Sequence, residues 1–133
     1  MSARLFDHID LRVKNREAAQ RFYAQILPAI GFQVDKSGQR WGTFEAEGSV
    51  GVDFFGFTED KDHQPNGNRI AFWAPSREAV DTIGEVVRKA GAKNIEGPEL
   101  CVDYSPGYYA VFFEDPEGNK LEVCHRKSAT IAE

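Results

Sequence analysis

Apolar and polar positions alternate with period two over residues 5–13, where Leu5, Ile9, Leu11 and Val13 share one parity and Phe6, His8, Asp10 and Arg12 share the other. Side chains of a strand point alternately to its two faces, so this pattern predicts a strand with one apolar and one mostly polar side. The period then lengthens. Ala19, Phe22, Tyr23, Ile26, Leu27 and Ile30 recur at helical spacing behind Asn15, a residue suited to cap a helix. Pro28 weakens the last turn and Gly31 ends it. Three short strands are expected next, at 32–35, 40–46 and 50–57, separated by Ser37-Gly38 and Gly48-Ser49. Residues 58–67 are polar and read as a connecting loop.

The same order then restarts. Residues 68–74 alternate as a strand, Pro75 breaks it, and Ser76 caps a second helix with the stripe Ala79, Val80, Ile83, Val86, Val87 and Ala90, closed by Gly91. Strands are expected at 93–95, 108–114 and 120–126. The last two are joined by Asp115-Pro116-Glu117-Gly118, where Pro presets φ and Gly accepts a positive one. Arg-Glu-Ala opens both helices, at 16–18 and at 77–79, and the same offset carries His8 onto Arg69 and Val13 onto Ala74. The chain therefore reads as a duplicated βαβββ unit. It is expected to be a single α+β domain over 1–133, with one module at about 5–57, a second at about 68–126 and a tail at 127–133. One helix covers only one face of each small sheet. Two such sheets, curved toward each other, would enclose a cavity lined by the polar-parity residues.

Composition narrows the function. With 133 residues a core can form without disulfides or metals. A net charge of −5 argues against a nucleic-acid partner, which needs a basic surface. Cys101 and Cys124 lack CxxC spacing, so neither a zinc knuckle nor a disulfide framework is indicated. No apolar run approaches the roughly 20 residues of a membrane span, and no leader is evident, so a cytoplasmic location is expected. Ten phenylalanines are more than a small core needs, which suggests aromatic walls for a ligand. Phe54, Trp73, Tyr104, Tyr108 and Tyr109 are the ligand-binding candidates.

Residues 108–122, Tyr-Tyr-Ala-Val-Phe-Phe-Glu-Asp-Pro-Glu-Gly-Asn-Lys-Leu-Glu, resemble the terminal hairpin of the vicinal oxygen chelate superfamily, which comprises glyoxalases, bleomycin resistance proteins and extradiol dioxygenases. His8 within Asp-His-Ile-Asp-Leu-Arg-Val resembles its first opening strand, and Asn68-Arg69-Ile70-Ala71-Phe72 its second. The resemblance covers about residues 5–126. It implies small-molecule chemistry: a lyase, isomerase or dioxygenase-like enzyme that stabilises an oxyanion or enolate, or a non-enzymatic binder of antibiotic type. It also implies a divalent metal (Zn, Mn, Ni or Fe) and a homodimer. Matched residue by residue, His8 and Glu122 fall at metal-ligand positions, and His8, Arg69 and Glu122 are the catalytic candidates. Arg69 stands where the second opening strand usually offers His, Asp53 is the sole candidate near the fourth strand, and the loop at Asp103-Tyr104-Ser105 lacks histidines. A guanidinium has no lone pair for a metal. Arg69 facing Glu122 would instead form a charge-assisted pair in the ion's place, leaving a metal-free cavity for an anionic or aromatic ligand. Cys124 shares the parity of Glu122, whereas His125 has the opposite parity and His63 lies in the polar loop.

Overall fold

A computed structural model describes residues 5–47 and 53–126. The chain divides into two compact units, Met1–Gln64 and Pro65–Glu133.

The first unit contains β1 (His8–Val13), α1 (Arg16–Ile30), β2 (Val34–Asp35), β3 (Trp41–Glu45) and β4 (Phe54–Glu59). Asn15 caps α1 by accepting from the Ala18 amide, and Gly31 closes it at φ 137°, a conformation that disfavours side chains. Pro28 is accommodated inside the last turn of α1. The sheet order is β1-β4-β3-β2, with β1 parallel to β4 and the other pairs antiparallel. The apolar parity of β1 and β4 meets the helix: the Tyr23 ring lies 5.5 Å from Phe55 and 5.0 Å from Phe57. Gly42 on β3 makes room for this core, because a Cβ there would stand 2.0 Å from the Phe57 ring.

The second unit repeats the order with β5 (Arg69–Trp73), α2 (Arg77–Ala90), β6 (Lys93–Leu100), β7 (Tyr109–Glu114) and β8 (Lys120–His125). Its sheet runs β5-β8-β7-β6, again with the parallel pair first. Ser76 caps α2 through the Ala79 amide. In the β7–β8 turn, the buried Asp115 accepts from the Glu117 and Asn119 amides and from Asn119 Nδ2.

This is the α+β architecture expected from the pattern: two four-stranded mixed sheets, each with one helix. The differences are local. β1 begins at His8, leaving Leu5 and Phe6 exposed ahead of it. β4 extends to Glu59, inside the expected loop. β6 runs to Leu100 rather than stopping at Ile95, past Gly97-Pro98. Pro lacks a donor, yet β6 is an edge strand and absorbs it through two register shifts against β7. The Gly48-Ser49 turn and residues 50–52 of the expected fourth strand lie outside the described residues. No helix among the described residues is long and apolar enough to cross a membrane.

The two sheets share one topology, so equivalent positions can be read from register. His8 pairs with Phe54 as Arg69 pairs with Lys120. It follows that Asp10 and Gly56 of the first sheet correspond to Ala71 and Glu122 of the second. Likewise Glu45, opposite Phe54, corresponds to Glu114, opposite Lys120.

Candidate functional site

In the second unit, the face of the sheet away from α2 gathers most of the candidates. Arg69, Ala71 and Trp73 on β5 stand opposite Lys120, Glu122 and Cys124 on β8, which stand opposite Glu114, Phe112 and Ala110 on β7. Glu122 is at the centre of this array and is only 5% exposed. Its Oε2 accepts a hydrogen bond from the Tyr108 hydroxyl. A buried carboxylate without a partner is costly, and here the partner is a neutral donor.

The expected Arg69–Glu122 pair is not formed. Register sets Arg69 across from Lys120, while the neighbour of Glu122 on β5 is Ala71, which has nothing to donate. The Arg69 guanidinium lies 5.0 Å from the Phe112 ring centroid and its Nη1 donates to the Leu121 carbonyl at 3.3 Å. It therefore presents a positive charge on the same face without being neutralised by Glu122.

Aromatic side chains wall this region. Tyr104, in the β6–β7 connection, meets Tyr108 edge-on at 5.2 Å and Phe112 at 6.1 Å. Arg126 lies 5.5 Å from the Tyr108 ring. Trp73 is 64% exposed at the end of β5, its ring 6.3 Å from His125. Tyr109 points the other way. Its hydroxyl donates to Asp81 of α2 at 2.6 Å, as strand alternation from Tyr108 requires, so it does not join the cluster. His125 also leaves the face and bonds the Ala74 carbonyl at 2.8 Å.

Burial, then hydrogen bonds with Cys124 and Glu122, push the Tyr108 hydroxyl well above its ordinary value, so it remains a donor. Burial raises the Cys124 thiol, opposed by its hydrogen bond with Tyr108. Cys101 is raised by burial and by the negative charges of Glu99, Glu122 and Asp103. Neither thiol is a ready nucleophile. Glu114 is held below its ordinary value, chiefly by the Asn94 amide at 2.9 Å and also by Lys120 at 3.3 Å.

His8 and Phe54 belong to the first unit and lie on its helix-free face. Their rings stack at 4.4 Å and 3°, with His8 Nδ1 2.9 Å from Asp7 Oδ2. Asp53 precedes β4 with the parity of Phe55, which packs on α1, so it does not supply the missing position on the helix-free face. Three contributors escaped the sequence reading. Phe112 carries Arg69, Gly56 replaces a carboxylate, and Glu45 repeats Glu114. Carrying the hairpin register across the Asp-Pro-Glu-Gly turn would have found the first.

A family profile for the glyoxalase/bleomycin resistance protein/dioxygenase superfamily matches residues 5–123. The chain belongs to this superfamily. Among relatives, the uncharacterized protein YqjT of Bacillus subtilis is 30% identical over 121 residues, which span 87% of this chain and 94% of YqjT. A glyoxalase/bleomycin resistance protein from Albidiferax ferrireducens shares the fold with a TM-score of 0.74 at 24% identity, covering 91% of this chain and 98% of that one. The fosfomycin resistance protein FosX from Listeria monocytogenes does so with a TM-score of 0.68 at 22% identity, covering 96% of each.

Superfamily members often hold a divalent metal, and the donors present here can be tested against that. The positions related by duplication are His8, Gly56, Arg69 and Glu122. Glycine has no side chain and guanidinium no lone pair. Among the described residues, no three His, Cys, Asp or Glu side chains cluster as ligands would. A catalytic zinc normally takes three protein ligands, and these residues do not fit one.

Proposed function

We propose that the helix-free face of the second sheet handles a small molecule carrying an anionic oxygen, with Arg69 meeting that oxygen and Glu122 moving a proton. One observation carries the reading: Glu122 is buried among aromatic rings and bonded to the neutral Tyr108 hydroxyl, while Arg69, on the same face, rests on a ring and a carbonyl with only the longer-range charge of Glu114 beside it. A carboxylate held in this way can accept a proton from a carbon beside a carbonyl. Where that carbon bears a hydroxyl, the enediolate so formed is matched by the fixed Arg69 charge; the hydroxyl proton passes to the enolate oxygen, Glu122 returns its proton to the former carbonyl carbon, and the former hydroxyl carbon becomes the new carbonyl. This is isomerase- or lyase-type chemistry, driven by an arginine where related enzymes use an ion. His8 is left out of these steps.

A second reading is favoured by the Tyr104–Tyr108–Phe112 cluster, which suits a binder that sequesters a planar or anionic molecule without turnover. The likeness to FosX makes fosfomycin, a small phosphonate, the first probe. Calorimetry with and without a chelator reads binding of fosfomycin, and proton NMR of dihydroxyacetone phosphate in deuterium oxide reads proton exchange at the carbon beside a carbonyl. Chelator-insensitive binding that is lost in Arg69→Gln supports the site. Deuterium uptake at carbon that is lost in Glu122→Gln selects the enzyme, and phosphonate binding without such exchange selects the sequestering protein. Binding that requires an added metal ion would overturn the arginine reading.

A further inference from the structure

The positive charge of the second sheet's helix-free face is not confined to Arg69. Arg126 follows the last residue of β8 and has the parity of Glu122 and Cys124. Its guanidinium lies 5.5 Å from the Tyr108 ring, as that of Arg69 lies 5.0 Å from the Phe112 ring. Phe112 stands directly opposite Glu122, and Tyr108 donates to it, so each arginine is one aromatic ring away from the buried carboxylate. Neither guanidinium forms an ion pair among the described residues.

The remaining charges do not cancel this pair. Lys120 and Glu114 lie 3.3 Å apart and neutralise each other. Glu96 and Glu99 belong to the edge strand β6 and pair with neither arginine. The face therefore presents a cation, a carboxylate and a second cation in turn. A ligand with one anionic group gains from one arginine only. A ligand with two gains from both, provided the stretch between them is uncharged, because an anionic centre over Glu122 would be repelled. Tyr108 and Phe112 are four residues apart, about 13 Å along an extended chain. The Tyr104 ring bridges that interval, 5.2 Å from Tyr108 and 6.1 Å from Phe112, and gives the uncharged stretch an aromatic wall.

We infer that the substrate is a short-chain dianion, held by one end on Arg69 and by the other on Arg126, with the carbon that gives up its proton to Glu122 lying between. The inference rests on the roles proposed above for Arg69 and Glu122, and adds Arg126 as a specificity-determining residue. Once each anion takes up its hydrogen-bonding distance from its guanidinium, the gap suits carboxylates or phosphonates separated by about two to four carbons. Two anchors also fix which carbon of the chain stands over Glu122, whereas a single anchor leaves the chain free to swing.

Calorimetry with succinate, glutarate and adipate tests this, with pentanoate as a chain charged at one end only. The best-fitting dicarboxylate is expected to bind about tenfold more tightly than pentanoate. Arg126→Gln and Arg69→Gln should each remove that advantage while leaving the circular dichroism spectrum unchanged. Fosfomycin carries its phosphonate at one end, so its affinity should survive Arg126→Gln and be lost in Arg69→Gln. That fosfomycin result without any preference for dicarboxylates would leave the role of Arg69 standing and overturn the dianion. A preference that survives Arg126→Gln, or no saturable dicarboxylate binding, would overturn it too. Failure of the earlier proposal shows separately, as phosphonate binding that does not depend on Arg69.

Discussion

The hydroxyl of Tyr108, just ahead of β7, donates to the Glu122 carboxylate on β8, so the most buried acid of the candidate site is satisfied by a neutral phenol. Removing the donor leaves the carboxylate short of a partner. Tyr108→Phe is expected to lower unfolding stability by about 1–3 kcal/mol, measured by urea denaturation at neutral pH. An unchanged midpoint would mean that water replaces the phenol at no cost.

The same pair sets an alkaline limit. The Tyr108 value is raised in the folded state, so the folded chain holds this proton more tightly than the unfolded one. The contribution is complete below the ordinary value of 10.0 and declines as pH rises beyond it. Urea midpoints taken across that range should fall more steeply for the parent protein than for Tyr108→Phe.

Arg69 is the test of anion recognition. Its guanidinium rests on Phe112 and bonds a main-chain carbonyl, a planar arrangement that lysine cannot reproduce. Arg69→Lys should therefore weaken phosphonate binding by about tenfold despite keeping the charge, with little change in melting temperature. Calorimetry showing parental affinity would reduce Arg69 to a diffuse charge.

Packing in the first unit turns on Gly42. A methyl group there would press on the buried Phe57 ring, and Gly42→Ala should cost about 1–3 kcal/mol. Gly67 is the control: a Cβ added there would meet nothing within 4 Å and its φ is ordinary, so Gly67→Ala should be close to neutral. Thermal melts of the two variants decide it.

The architecture was legible because hydrophobic period follows burial. Asn15, Gly31, Ser76 and Gly91 bounded both helices as expected, and Arg16 and Arg77 begin them at the offset seen in the sequence. The end of β6 was not legible, because Pro98 signals a break unless the strand is known to lie at an edge. Site prediction failed in a similar way. The resemblance set Arg69 facing Glu122; register leaves the two on one face but not opposite each other, because adjacency depends on the stagger between β5 and β8, which a motif match does not carry. Tyr109 was grouped with Tyr108 although neighbours on a strand must diverge. Gly56 and Glu45 carried no signal until the two sheets could be superposed strand by strand.

Each sheet has one border, β2 in the first and β6 in the second, that a foreign strand would find hard to extend. β2 is only two residues long, and β6 carries Pro98, two register shifts and the charges of Lys93, Glu96 and Glu99. Neither border offers a long, flat row of free amides and carbonyls on which a strand from another chain could dock. The chain should thus resist edge-to-edge aggregation at these borders, and straightening β6 with Pro98→Val would be the shortest route to losing that protection.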